Sequence, residues 1–138
     1  MLRCAVLAFA VLAGGVHQAA FAEDEPTTRI VQDHVMKLTT VAGREVIVEE
    51  LDVDAGLNVP THRHTGPETL SVLTGVLIVQ FEGEEPRVLE AGQSILIRPG
   101  VYHRATIGPE GANIIVMRVH PSGDEIHIAP DRDVDFPE

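Results

Sequence analysis

Turn signals built on glycine and proline interrupt this chain roughly every 8 to 12 residues, and only short runs rich in β-branched residues lie between them. Beyond the first 22 residues no stretch repeats its apolar residues at helical period. Strands are predicted over Arg29 to Leu38, Glu45 to Val53, Glu68 to Leu73, Val76 to Phe81, Arg87 to Glu90, Ser94 to Ile97, Tyr102 to Ile107 and Asn113 to Val119. Val41 to Arg44, Thr65-Gly66-Pro67, Gly83 to Pro86 and Gly108 to Gly111 read as the turns between them. The run Val76 to Phe81 is apolar on both faces, which predicts shelter on both. Such a count points to an all-β sandwich or barrel.

The first 22 residues stand apart. Arg3 gives a short positive start, Cys4 to Val16 is an apolar run broken only by Gly14 and Gly15, and Ala20-Phe21-Ala22 is a small-x-small cleavage site. That run is short for a membrane span, and Glu23-Asp24-Glu25 follows at once, so residues 1–22 are expected to be a cleaved signal peptide and not a stable membrane anchor. Export to a periplasm or the outside follows. The single cysteine, Cys4, would leave with the leader, which excludes disulfides and thiol chemistry in the mature chain. A formal charge of −11 argues against nucleic acid as a partner. The expected organisation is an N-terminal segment with the first strand (23–45), a barrel (46–119) and an acidic tail (120–138). The tail carries Asp124, Glu125, Asp131, Asp133, Asp135 and Glu138 against Arg132, and is expected to be solvated rather than docked on a partner subunit.

Chemistry concentrates in four side chains. His62 and His64 flank one residue, so in an extended strand both point to the same face while Arg63 points away. Glu68 follows closely, and His103 comes just after Pro99-Gly100. Imidazole with carboxylate suits manganese, iron, nickel, copper or zinc. Three histidines and a glutamate in this arrangement point to one divalent transition metal ion rather than to hydrogen bonding alone.

These residues stand in a pattern that resembles the cupin family of small jelly-roll β-barrels. The first family motif runs unbroken as Gly56-LNVPT-His62-Arg63-His64-TGP-Glu68-TLSVLT-Gly75. The second reads Gly92-QSILI-Arg98-Pro99-Gly100-Val101-Tyr102-His103, with Arg98 where proline is usual, and Ile107 stands where an asparagine often follows. The likeness covers residues 46 to 119, and only 16 residues separate Gly75 from Gly92, so it implies one compact barrel rather than a duplicated one. It further implies a jelly-roll fold, His62, His64, Glu68 and His103 as metal ligands, and a homodimer. Family members with a metal include dioxygenases, isomerases, lyases and decarboxylases.

Four ligands on an octahedral ion leave two positions for water or substrate. With one ionised carboxylate the centre keeps a charge near +1, which favours a small anionic or oxygen-rich molecule. A metalloenzyme is the leading reading. The alternative is a non-catalytic barrel that binds a metal or small ligand for sensing, storage or scavenging. No second acidic or basic group stands at a spacing that marks it as a general acid or base, which favours the alternative modestly. Alternation places Leu70 and Val72 beside Glu68, and Val101 and Ala105 beside His103, as an apolar wall. Tyr102 and Arg104 should face away, toward surface or interface. Arg98 is expected near the pocket mouth as an exposed arginine. His34, His120 and His127 lack ligand spacing and read as structural or solvated.

Overall fold

The computed structural model describes residues 26–37 and 41–138. The expected leader lies outside them, as does the side chain of His34. Seven strands follow in chain order: β1 (Thr28–Lys37), β2 (Arg44–Val53), β3 (Asn58–His62), β4 (Glu68–Phe81), β5 (Arg87–Glu90), β6 (Ser94–Ile97) and β7 (His103–Pro121). All their pairings are antiparallel, in the order β1-β2-β7-β4-β5, with β3 also on β7 and β6 also on β4. No helix occurs among the described residues.

The two longest strands make the barrel. The first half of β4, from Glu68, pairs with the end of β7 and with β6; its second half, to Phe81, pairs with the start of β7 and with β5. β2 and β1 extend the first half-sheet, and β3 extends the second. Register breaks between Val72 and Thr74 and between Gly75 and Leu77 bend the ladder at the junction. Two expectations fail here. The break at Thr74-Gly75 does not end a strand, and Gly108 to Gly111 is no turn: both segments stay within continuous strands, residues 108–111 being the extra residues of β7 at the register shift. Gly75 (φ 79°) and Gly111 (φ 77°) absorb the bend. A Cβ on Gly75 would lie 2.1 Å from the Gly111 carbonyl oxygen, so only glycine lets the strands cross this closely.

Folding the sheet over brings its inward rows together. Leu70, Val72, Leu77, Val79, Ile107, Ile114 and Val116 form the centre of one core. Val72, Leu77 and Val79 are fully buried, each contributing on the order of 1.5–3 kcal/mol of transfer energy. The strand expected to be sheltered on both faces is only half so. Leu77, Val79 and Phe81 point inward and are buried, whereas Val76 and Ile78 are partly exposed.

The acidic tail lies along its own barrel, which neither expected arrangement allowed for. Ile128 bridges Arg63 through two backbone hydrogen bonds of 3.0 Å. The Asp135 carbonyl accepts from Gly83 N at 3.0 Å, and the Pro137 carbonyl accepts from Gln80 Nε2 at 2.7 Å. Phe136 packs under the Arg104 guanidinium, 4.3 Å from the ring centre, and Arg132 pairs with Glu82. Tyr102 is therefore buried beneath the strap, its hydroxyl donating to Asp131 at 2.9 Å. Its outward side met its own chain.

Candidate metal centre

The hydrogen-bond register assembles the site. His62 ends β3 directly opposite His103, the first residue of β7, and His103 lies opposite Phe81 on its other side. His64 sits just past β3, where its carbonyl accepts from Gly100 N at 2.9 Å. That bond ties the His-x-His segment to the Pro99-Gly100 turn. All three imidazoles are buried, with ring centres 4.3 to 5.1 Å apart. One ring nitrogen from each falls within 4.8 Å of the others, so these three residues could hold one ion.

Their backbone partners orient them. The Nδ1–H of His62 donates to the Pro60 carbonyl at 2.7 Å, that of His64 to Ile126 at 2.6 Å, and that of His103 to Val101 at 3.1 Å. A carbonyl can only accept, so every Nδ1 carries the proton and every neutral ring presents Nε2 as a lone pair. Burial favours the neutral form: loss of hydration pushes His103 down to about 4 and lowers His62, against the pull of those carbonyls. His64 Nε2 is buried without a hydrogen-bond partner, 3.3 Å from a Glu68 oxygen. Two electron-rich atoms in that position repel each other unless a proton or a metal cation joins them. The three imidazoles therefore fit a metal ion, whereas Glu68, expected as the fourth ligand, lies 3.3 Å from His64 Nε2 but outside the set whose donor atoms all fall within 4.8 Å of one another.

Glu68 is set by a second wall. It starts β4 opposite Arg118 of β7, and Arg118 pairs with both Glu68 and Glu49 of β2. Burial alone would raise the Glu68 carboxyl, but His64, when its Nε2 carries a proton toward the carboxylate, and Arg118 hold it down at about 2. It is ionised at every ordinary pH. No spacing in the sequence marked a further acidic or basic group, yet Arg118 and Glu49 line the same cavity as Glu68. The signal was the inward alternation Ala112, Ile114, Val116, Arg118, which places an arginine where the pattern requires an apolar residue.

The cavity holds about 750 Å³. Beyond its polar end its walls are apolar, from Leu51, Leu57, Leu70, Leu77, Ile107 and Ile114, with Thr28 and Ile30 of β1 at one side. Leu70 and Ala105 line it as expected, whereas Val72 and Val101 pack into the core around it. Arg98 is exposed. His120 is structural, its Nε2 donating to the Asp124 carbonyl at 2.9 Å. His127 is different. The strap carries its ring to the cavity wall, with its centre 4.5 Å from that of His62 and 5.3 Å from that of His64. Partial loss of hydration there, with His62 beside it, lowers its pKa to about 4. No ligand spacing in the sequence announced this residue.

Comparison with known proteins places the fold. The cupin domain family matches residues 49–117. No curated protein matches the chain. Among solved structures, an RmlC-like cupin from Shewanella frigidimarina is 22% identical, with 67% of this chain covering 88% of that one at a TM-score of 0.52. KdgF from a Halomonas species is 21% identical over 75% of this chain and 84% of its own, with a TM-score of 0.50. The DMSP lyase DddQ from Ruegeria pomeroyi is 21% identical over 67% of this chain but only 47% of its own, with a TM-score of 0.55. At such identities the likeness is one of fold.

Proposed function

Since the chain belongs to the cupin family, we propose that this member is an exported metalloenzyme acting on a small anionic or oxygen-rich molecule. His62, His64, His103 and Glu68 would hold one divalent transition ion. The observation that carries this reading is the convergence of three Nε2 lone pairs, each fixed by a backbone carbonyl on Nδ1, beside an ionised and buried carboxylate. The ion would supply Lewis acidity at its open positions.

The remaining work falls to the chain itself. Arg118 keeps Glu68 ionised and aimed at the histidines, and its pairing with Glu49 cancels one further charge. A divalent ion among these groups leaves a single net positive charge, which selects an anionic head group. The apolar walls hold the ligand's body and exclude water. Arg118, Glu49 and His127 reach the cavity, which favours turnover over passive binding, as does the lyase among the structural relatives.

Elemental analysis of protein from its own compartment tests the centre, with about one transition ion per chain expected. Protein with no metal, and with no affinity for added manganese, iron, nickel, copper or zinc, would overturn the reading. Export rests on residues 1–22; the mass of the mature protein is expected to correspond to a start at Glu23. A homodimer is proposed from the family likeness, and light scattering at twice the chain mass is the expected result.

A further inference from the structure

His127 is not one of the three residues whose nitrogens lie within 4.8 Å of one another, yet the fold positions it with care. The preceding residue gives its carbonyl to His64 Nδ1 at 2.6 Å, and the following residue bonds Arg63 through both its N–H and its carbonyl at 3.0 Å. Residue 127 is therefore pinned on both sides, at the point where the strap passes the metal centre. Its ring meets that of His62 edge-on, at 81°, and lines the cavity. No protein group hydrogen-bonds either of its nitrogens among the bonds of the described residues.

Tail histidines with a solvated role would not need such anchoring. His127 is exposed on its outer side, but its backbone is tied at both neighbours and its ring stands at the cavity wall. With one N–H unspent, it offers a hydrogen bond to whatever enters. The cavity has one polar end, at the histidines, so an entering anion must bring its oxygen atoms to that end. Resting on the metal reading above, we propose that His127 is a ligand-contacting residue. It donates a hydrogen bond to an oxygen of a metal-chelating carboxylate whose apolar body lies along Leu57, Leu77 and Ile107. The chemical class is a small 2-oxo or 2-hydroxy monocarboxylate with an apolar chain.

The test uses the full chain loaded with cobalt(II), whose visible absorption reports coordination, titrated with 2-oxopentanoate. Three variants are compared: His127→Ala, His127→Phe, which keeps a ring against His62 but has no N–H, and His127→Gln, which restores a donor. Cobalt content is expected to stay at the wild-type level in all three. Affinity for 2-oxopentanoate is expected to fall about tenfold or more in the Ala and Phe variants, and to recover in part with Gln. Wild-type affinity in the Phe variant, or equal losses in all three, would overturn the contact. Loss of cobalt from the Ala variant would overturn it too, by making His127 a ligand. Wild-type protein that takes up no cobalt would instead refute the metal reading itself, so the two failures are distinguishable.

Discussion

The two sides of the cavity hold their polar groups by opposite means. On one side, three imidazoles are fixed by carbonyls, two of them only two residues back in the chain: Pro60 for His62 and Val101 for His103. On the other, Glu68 is fixed by a guanidinium from fifty residues later, and that guanidinium by Glu49. The imidazole side is desolvated, and burial favours neutral His62 and His103; the carboxylate side is desolvated and charged, and balanced by its own pairing. A cation suits the first as the missing partner of its lone pairs. For the second it competes with an arginine already in place. The contrast teaches that the histidines are organised for an ion, whereas Arg118 keeps the barrel stable without one.

The largest effect should come from the imidazole side. His62→Ala or His103→Ala is expected to abolish metal binding, read by elemental analysis, while thermal unfolding of the apo-protein remains cooperative. Metal retained at wild-type stoichiometry by either variant would break the contrast. The same side predicts a pH dependence for the apo-protein. His103 and His62 have lowered pKa values when folded, so between about 6.5 and 4 the unfolded chain binds more protons than the native one. Glu68, held at about 2 against an ordinary 4.5, acts in the same direction at lower pH. Their contribution is complete above pH ~6.5 and is lost progressively as pH falls. Denaturant midpoints measured from pH 8 to 4 should stay level down to about pH 6.5 and then decline; a midpoint that rose on acidification would contradict the neutral, carbonyl-bound rings.

Arg118→Met sharpens the other side. It leaves the buried Glu68 and the partly buried Glu49 without their partner, at a cost on the order of 3–5 kcal/mol in the apo-protein. An added divalent ion should restore part of that loss, because it can take over the charge balance of Glu68. Equal destabilisation with and without metal, by calorimetry, would show that Glu68 does not face the ion.

Much of this was legible from the sequence. β-branched runs between glycine turns marked most of the strands, though not β3, and split β4 and β7 in two; the His-x-His spacing marked two convergent rings, because period-two alternation is a local rule. Glu68 and His103 were legible through the spacing of the family motifs. What escaped depends on pairing between distant strands. Arg118 lies opposite Glu68 only once β7 is known to run through Gly108 to Gly111 without turning, and that glycine–proline segment reads locally as a reversal. The strap escaped for another reason. Its acidic composition predicts solvation, but its docking uses backbone carbonyls of Ile126, Asp135 and Pro137, which carry no side-chain signature.

That backbone docking gives the smallest of these effects and the one that joins the two comparisons. His64 alone among the three histidines draws its carbonyl from far along the chain, at Ile126. Deleting residues 125–138 leaves the core from Val53 to Val116 intact and keeps the carbonyl of Asp124 for His120. It removes the one bond that holds the His64 ring with Nε2 turned inward. Losing such an outer partner of a metal ligand typically weakens affinity by roughly 10- to 100-fold. Competition against a chelator is expected to show a loss in this range for the shortened chain, with His62 and His103 still supporting weak binding. An unchanged affinity would mean that water replaces Ile126 without cost, and that the strap serves the cavity mouth alone.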